Sequence, residues 1–254
     1  MDLAFLTRRP IAHRGYHDIG AGRVENTLSA FRAAIDRDFA IECDLQLTAD
    51  GEAVVFHDFT LDRLTTGSGR VDALPLAAVQ AVAFKAAPDE RIPTLRQMLD
   101  LVAGRVPLVI EIKSEFRRPA DLRLVARAVE VLKGYAGPFA CMSFDPEMVA
   151  ALGRLAPGFV RGIVADDATD PDHYGDLGAL ERFALRHILH APRTRPHFVS
   201  YAIRHLPAPG PTLLRKVFGR PLICWTVRTA EQRAKAARET DQITFEGFDA
   251  DVPA

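Results

Sequence analysis

Short apolar runs rich in β-branched residues alternate along this chain with stretches of helical period. The runs are Pro10–His13, Ala40–Leu47, Ala53–Phe56, Val106–Lys113, Phe139–Ser143, Val160–Val164, His197–Tyr201, Pro221–Val227 and Gln242–Phe245. Most are apolar at successive positions instead of alternate ones, which predicts strands buried on both faces. Between them the period changes. Leu28, Phe31 and Ile35 recur at i, i+3 and i+7 behind Asn26-Thr27, a pair suited to capping a helix. Leu95, Met98, Leu99 and Val102 follow the same rule, as do Leu122, Val125, Val129 and Leu132. Met148, Leu152 and Leu155 predict another helix, and the Ala-, Arg- and Glu-rich stretch Ala230–Glu239 a further one.

Strand–helix alternation over the whole length predicts a parallel sheet with helical crossovers. The expected fold is α/β, a closed (β/α)8 TIM barrel forming a single domain over residues 1–254. One run stands outside the eight. Ala53–Phe56 follows its neighbour after Thr48-Ala49-Asp50-Gly51, a tight turn that joins antiparallel strands. Residues 58–91 then read as a small insertion after the second strand, turn-rich at first and helical over Leu74–Val82. Only nine residues follow Phe245, so the eighth helix is expected to be short or missing. An open doubly wound sheet is the alternative, but no Gly-rich phosphate fingerprint follows a strand.

Composition narrows the function classes. The 254 residues are 48% hydrophobic and 26% charged, as in globular proteins. Lys and Arg total 32 against 33 acids, a formal charge of −1, so the overall basic balance of a nucleic-acid binder is missing. Basic residues gather only in short clusters, Arg117-Arg118 and Arg193-Thr194-Arg195. No stretch approaches the roughly 18 apolar residues of a membrane span, and the first residues lack the apolar core of a signal peptide. Stable membrane insertion is therefore not expected. The three cysteines, Cys43, Cys141 and Cys224, sit inside apolar runs with no CxxC spacing. They predict buried thiols and a reducing, cytoplasmic compartment.

The informative positions are ionisable groups near strand ends. Glu42 and Asp44 lie at i and i+2 on one strand and share a face, with Cys43 pointing away. Glu111 and Lys113 share a face by the same rule. Both pairs lie towards the C-terminal ends of their strands, where barrel active sites form. Buried carboxylates need a countercharge. Three of them converging make an oxygen site suited to Mg²⁺ or Ca²⁺; ion pairing with Arg and Lys is the structural alternative. The first strand ends His13-Arg14-Gly15, where a bend at Gly15 lets both preceding side chains reach the strand ends. A second pair, His57-Asp58, closes the short hairpin strand. Glu42, Asp44 and Glu111 against Arg14, Lys113 and one divalent ion leave a single positive charge, which matches a phosphodiester monoanion.

These residues are joined by Glu25-Asn26-Thr27, Asp50-Gly51, Thr65-Thr66-Gly67-Ser68-Gly69, Ile92-Pro93-Thr94-Leu95, Ser143-Phe144-Asp145 and Trp225-Thr226-Val227. Taken in order, the whole set resembles the glycerophosphodiester phosphodiesterase family from residue 11 to about residue 247. The resemblance implies metal-dependent hydrolysis of a glycerophosphodiester to sn-glycerol 3-phosphate and an alcohol. It implies Glu42, Asp44 and Glu111 as metal ligands, and Arg14 and Lys113 as phosphate-binding groups. His13 and His57 would be the acid–base pair, with either in either role and with water or a glycerol hydroxyl as nucleophile. Trp225 and Phe144 would line the substrate pocket, and Glu25 would support Arg14.

Two positions depart from the family pattern. Arg228 stands where Asn often follows Trp-Thr-Val, and Ile243-Thr244-Phe245-Glu246 replaces an Ile-x-Thr-Asp ending. Both fall on the substrate side, and Arg228 suggests an anionic headgroup. Two other functions compete. A lysophospholipase D-like enzyme would need an apolar acyl groove, yet Leu74, Leu76, Val79, Val82 and Phe84 in the insertion have the spacing of residues packed on the barrel. A non-catalytic anion-binding barrel would have lost a His or a ligand, and all seven positions are filled. His187 and His190 are read as sharing a helix face, but no nearby acid or cysteine completes a metal site.

Overall fold

The structure is a computed structural model that describes residues 2–174 and 176–252. It divides into two compact units.

The first unit holds residues 11–113 and 122–139. Strand β1 (Ile11–Ala12) leads through a 3-10 turn, Ile19–Ala21, into α2 (Leu28–Asp36), the first helix of this unit; α1 (Phe5–Arg8) belongs to the other. Next come β2 (Ala40–Leu47), β3 (Ala53–Val55), α3 (Leu76–Ala81), α4 (Leu95–Val102), β4 (Leu108–Ile112) and α5 (Arg123–Leu132). β1 and β4 run parallel to β2 on either side of it, and β3 is antiparallel to β2. The Asp-Gly turn therefore joins antiparallel neighbours as its chemistry requires. All eight residues of β2 are buried, polar ones included. The insertion builds a small core of its own, in which Leu61, Val71, Val79 and Phe84 pack on Val54 and Phe56. Leu74, Leu76 and Val82 pack against that core.

The second unit holds residues 2–10, 114–121 and 140–252. It contains α1 (Phe5–Arg8), nearly all of β5 (Phe139–Ser143), α6 (Pro146–Leu155), β6 (Val160–Ala165) and α7 (Pro171–Tyr174). It continues through α8 (Ala179–Arg186), α9 (Ala191–Thr194), β7 (Phe198–Ala202), α10 (Pro209–Lys216), β8 (Leu222–Val227), α11 (Ala230–Glu239) and β9 (Gln242–Phe245). β5 to β9 pair in sequence order, all parallel. The parallel strands of the two units, β1, β2 and β4 to β9, are the eight of a (β/α)8 TIM barrel; β3 is the additional antiparallel strand.

Every apolar run named from the sequence overlaps one observed strand. One helical detail is as expected and two differ. No helix follows β9 among the described residues, and the short α1 lies beside that strand, where the Gln242 side chain donates to the Thr7 carbonyl at 2.9 Å. Leu155 ends α6 exposed, not buried. His187 and His190 do not share a helix: α8 stops at Arg186, and His190 precedes α9.

Candidate active site

The site grows from β2. Glu42 and Asp44 fall on one face of this strand, and its register sets Asp44 directly beside Glu111 on β4. Oxygens of Glu42, Asp44 and Glu111 all lie within 4.8 Å of one another, and all three residues are buried. Lys113, one residue past β4, reaches back to the same group. Its Nζ lies 2.9 Å from Glu111 Oε1 and 3.3 Å from Asp44 Oδ1.

His13 and Arg14 come from the end of β1. The bend begins at Arg14 itself, with φ at 56°, and continues through Gly15 at 81°. Gly15 is required on two counts. The left-handed region disfavours other residues, and a Cβ there would come within 3.0 Å of Ala30 and Phe31. The bend turns the Arg14 N–H to Glu42 Oε2 at 2.9 Å. Its guanidinium meets Glu25 at 2.6 Å and Asp44 at 3.5 Å. His13 Nε2 sits 3.9 Å from Glu42 Oε2.

His57 follows β3. Gln46, on the same face of β2 as the two acids, holds the His57 carbonyl at 3.1 Å. The His57 ring bonds Asp58 through Nδ1 at 2.7 Å. The short hairpin thus carries a histidine back to the strand that bears the acids.

Proximity of like charges marks these groups. Burial, then the neighbouring Asp44 and Glu111 charges, push the Glu42 carboxyl well above the usual carboxylate range. Burial alone would lift Asp44 too, but Lys113, His57 and Arg14 outweigh it and hold that carboxyl low. Lys113 is raised because Glu111 and Asp44 more than offset its own burial. The three carboxylates bring three negative charges, and Arg14 and Lys113 supply two positive ones. The surplus negative charge and the all-oxygen donor set fit a hard divalent cation. An ion there would relieve the repulsion that weighs on Glu42.

Trp225 and Phe144 belong to the second unit. Their rings meet edge to face at 5.4 Å, and Trp225 Nε1 donates to the Ser200 carbonyl at 3.3 Å. Phe144 also meets the His173 ring at 4.9 Å. Arg228 and Glu246, the two departures from the family pattern, are hydrogen-bonded to each other.

Sequence reasoning missed three residues here. The sequence pairs Asn26 with Thr27 as a helix cap. Thr27 alone caps α2, while Asn26 donates to Asp44 Oδ2 at 2.9 Å and accepts from the Asp44 N–H at 3.3 Å. Gln46 could have been found, since it continues the i, i+2 face of Glu42 and Asp44. Arg63 gave no signal, because it lies in a turn with no periodicity.

A family model described as the glycerophosphoryl diester phosphodiesterase family matches residues 13–247. Glycerophosphodiester phosphodiesterase 1 of Bos taurus is 32% identical over 164 residues, which is 61% of this chain and 48% of that protein. A probable glycerophosphodiester phosphodiesterase 1 of Mycobacterium tuberculosis is 39% identical over 168 residues, 58% of this chain and 60% of that one. The chain thus spans about half the length of the curated relatives it matches. Among solved structures, an Oleispira antarctica phosphodiesterase in complex with the product sn-glycerol-3-phosphate superposes with a TM-score of 0.76. Identity is 22%, and the match covers 94% of this chain and 92% of that one. A glycerophosphodiester phosphodiesterase from Thermotoga maritima gives 0.69 at 24% identity, covering 93% and 94%. At such identities these structures show a shared fold.

Proposed function

Because the chain belongs to the glycerophosphoryl diester phosphodiesterase family, we propose that it hydrolyses glycerophosphodiesters to sn-glycerol 3-phosphate and an alcohol. We read residues 1–254 as one catalytic barrel domain with an insertion over residues 58–91. The observation that carries the activity is the set of three buried carboxylates bracketed by two cations and two histidines. The sn-glycerol-3-phosphate bound to the Oleispira protein supports the same product class.

Glu42, Asp44 and Glu111 hold a divalent ion, Mg²⁺ or Ca²⁺. When bound, it supplies Lewis-acid stabilisation of charge that builds on the phosphoryl group. Arg14 and Lys113 neutralise the phosphate oxygens and orient the diester. One of His13 and His57 removes the proton from the nucleophile as its oxygen bonds to phosphorus; the nucleophile is water, or the neighbouring glycerol hydroxyl, which gives a cyclic diester that water then opens. The other protonates the leaving alkoxide as its bond to phosphorus breaks. Trp225 and Phe144 contact the substrate beyond the phosphate. Arg228 is paired with Glu246, so an anionic headgroup selected by Arg228 would have to compete with that carboxylate for it.

A chelator-treated protein tests this reading. It is expected to release glycerol 3-phosphate from glycerophosphocholine or glycerophosphoethanolamine only after Mg²⁺ or Ca²⁺ is restored. Release from a lysophospholipid alone would overturn the substrate assignment. The inward packing of Leu74, Leu76 and Val82 already argues against an acyl groove in the insertion. Glu42→Ala, Asp44→Ala and Glu111→Ala should each lose metal affinity and turnover. Full turnover in any of them would remove that residue from the ligand set.

A further inference from the structure

Arg63 lies in the first turn of the insertion, and none of the roles above uses it. Its guanidinium makes four hydrogen bonds to two carboxylates. Nε and Nη2 donate to Asp58 at 2.6 and 3.0 Å, and Nη2 and Nη1 donate to Glu25 at 2.7 and 3.1 Å. Each carboxylate has a second partner. Asp58 accepts from His57 Nδ1 at 2.7 Å, and Glu25 accepts from Arg14 Nη1 at 2.6 Å. The result is one unbroken series: His57, Asp58, Arg63, Glu25, Arg14.

We propose that Arg63 is a positioning residue that fixes the ring of His57 through Asp58 and the guanidinium of Arg14 through Glu25. The proposal rests on the roles given above to His57 and Arg14. The chemistry at His57 is specific. An ionised Asp58 only accepts, so Nδ1 must carry the hydrogen it shares with Asp58. Nε2 is then the ring nitrogen left to exchange a proton with substrate. His57 and Arg63 hold the Asp58 carboxyl well below the usual range despite its burial. On the other side, Glu25 presents one oxygen to both arginines, and so ties the direction of the Arg14 fork to that of Arg63.

The turn that bears Arg63 is itself anchored. Leu61 and Thr65 are buried on either side of it, and the Thr65 hydroxyl donates to the Leu61 carbonyl at 2.8 Å. Arg63 is thereby held from below while about half of its side chain stays exposed. Exposed ion pairs contribute little to stability, so its removal should spare the fold and disturb what it aligns. Lysine cannot replace it, because an ammonium is a point charge without the planar fork that spans two carboxylates.

The test compares wild type, Arg63→Ala, Arg63→Lys and, as a control on the His57 side, Asp58→Asn. The tautomer of His57 is read in the metal-free protein by nitrogen-15 NMR of the imidazole. Wild type is expected to be Nδ1-protonated, with the tautomers mixed in all three variants. With glycerophosphocholine and the restored cation, kcat is expected to fall about 10–100-fold in Arg63→Ala. Little of that is expected back in Arg63→Lys, and cation affinity should stay within about twofold of wild type. A wild-type tautomer and kcat in Arg63→Ala would overturn the proposal. So would recovery of wild-type kcat by lysine, which would reduce Arg63 to a simple charge. Should wild type itself fail to turn over the diester, the proposed activity falls, while the tautomer comparison still decides whether Arg63 orients His57.

Discussion

Asn26 shows how a single residue can be read correctly in type and wrongly in role. Asn before a helix is a familiar cap, and its left-handed backbone, φ 58°, suits Asn better than most side chains. The same backbone turns its amide towards Asp44 instead of the helix. Only the register between the helix start and β2 reveals this, and a lone sequence carries no register. The carboxylates were legible because charged residues inside an apolar strand are costly and so conspicuous. Arg63, which bonds Asp58 and Glu25, is a polar residue of ordinary type in a turn, and nothing distinguishes it before folding. His190 is likewise unremarkable in sequence. The residue is half-buried, Nδ1 faces the Thr194 hydroxyl at 3.2 Å, and the buried Nε2 has no hydrogen-bond partner. Burial, then Arg193, lower its pKa to about 4. The unfolded chain, with His near 6.5, takes up a proton that the folded one refuses. Stability is therefore complete above about pH 6.5, declines as pH falls towards 4, and levels off below. Between pH 7 and 5 the loss from His190 should be about 2 kcal/mol. Urea midpoints at the two pH values check it: His190→Gln should lose less than wild type, and equal losses would discard the assignment.

Elements were legible in proportion to how cleanly they separate apolar from polar positions. α4 buries Leu95, Met98, Leu99 and Val102, the four residues named from its period. α8 and α10 carried no such signal. α8 buries only Leu185 while exposing Leu180 and Phe183, and α10 buries only Pro211. Their helicity rests on local propensity and on connecting buried strands, not on an apolar stripe. α4 has a strong local start as well. Thr94 and Gln97 exchange hydrogen bonds across its first turn, Gln97 N–H to the Thr94 hydroxyl at 3.1 Å and Thr94 N–H to Gln97 Oε1 at 2.8 Å. Thr94→Ala should cost about 1 kcal/mol with activity unchanged. A shifted urea midpoint at constant m would show it, and no shift would mean that tertiary packing alone sets this helix start.

Across the whole molecule the strand count and the one antiparallel exception were readable, because burial on both faces leaves continuous apolar runs. The division of residues 2–10 away from the strand that follows them was not readable, since Gln242 and Thr7 are far apart in sequence. A cation that binds only the folded site stabilises the entire chain. At a hundred times its dissociation constant the gain is about 2.7 kcal/mol. For a chain of this length Tm should rise by about 5–10 °C. Calorimetry with and without Mg²⁺ or Ca²⁺ reads it directly. Asp44→Asn should abolish the rise, and a rise that persists would place the ion elsewhere.

Cys43 makes the same strand observable from its other side. Its thiol is fully buried between Glu42 and Asp44 in sequence and is not bridged. Alkylation there must wait for β2 to open, so the labelling rate is a clock on the movement of that one strand. A ligand that ties Glu42 and Asp44 together should slow the clock in proportion to its occupancy. The acid face and the thiol face of one eight-residue strand then report the same event, one by chemistry and the other by silence.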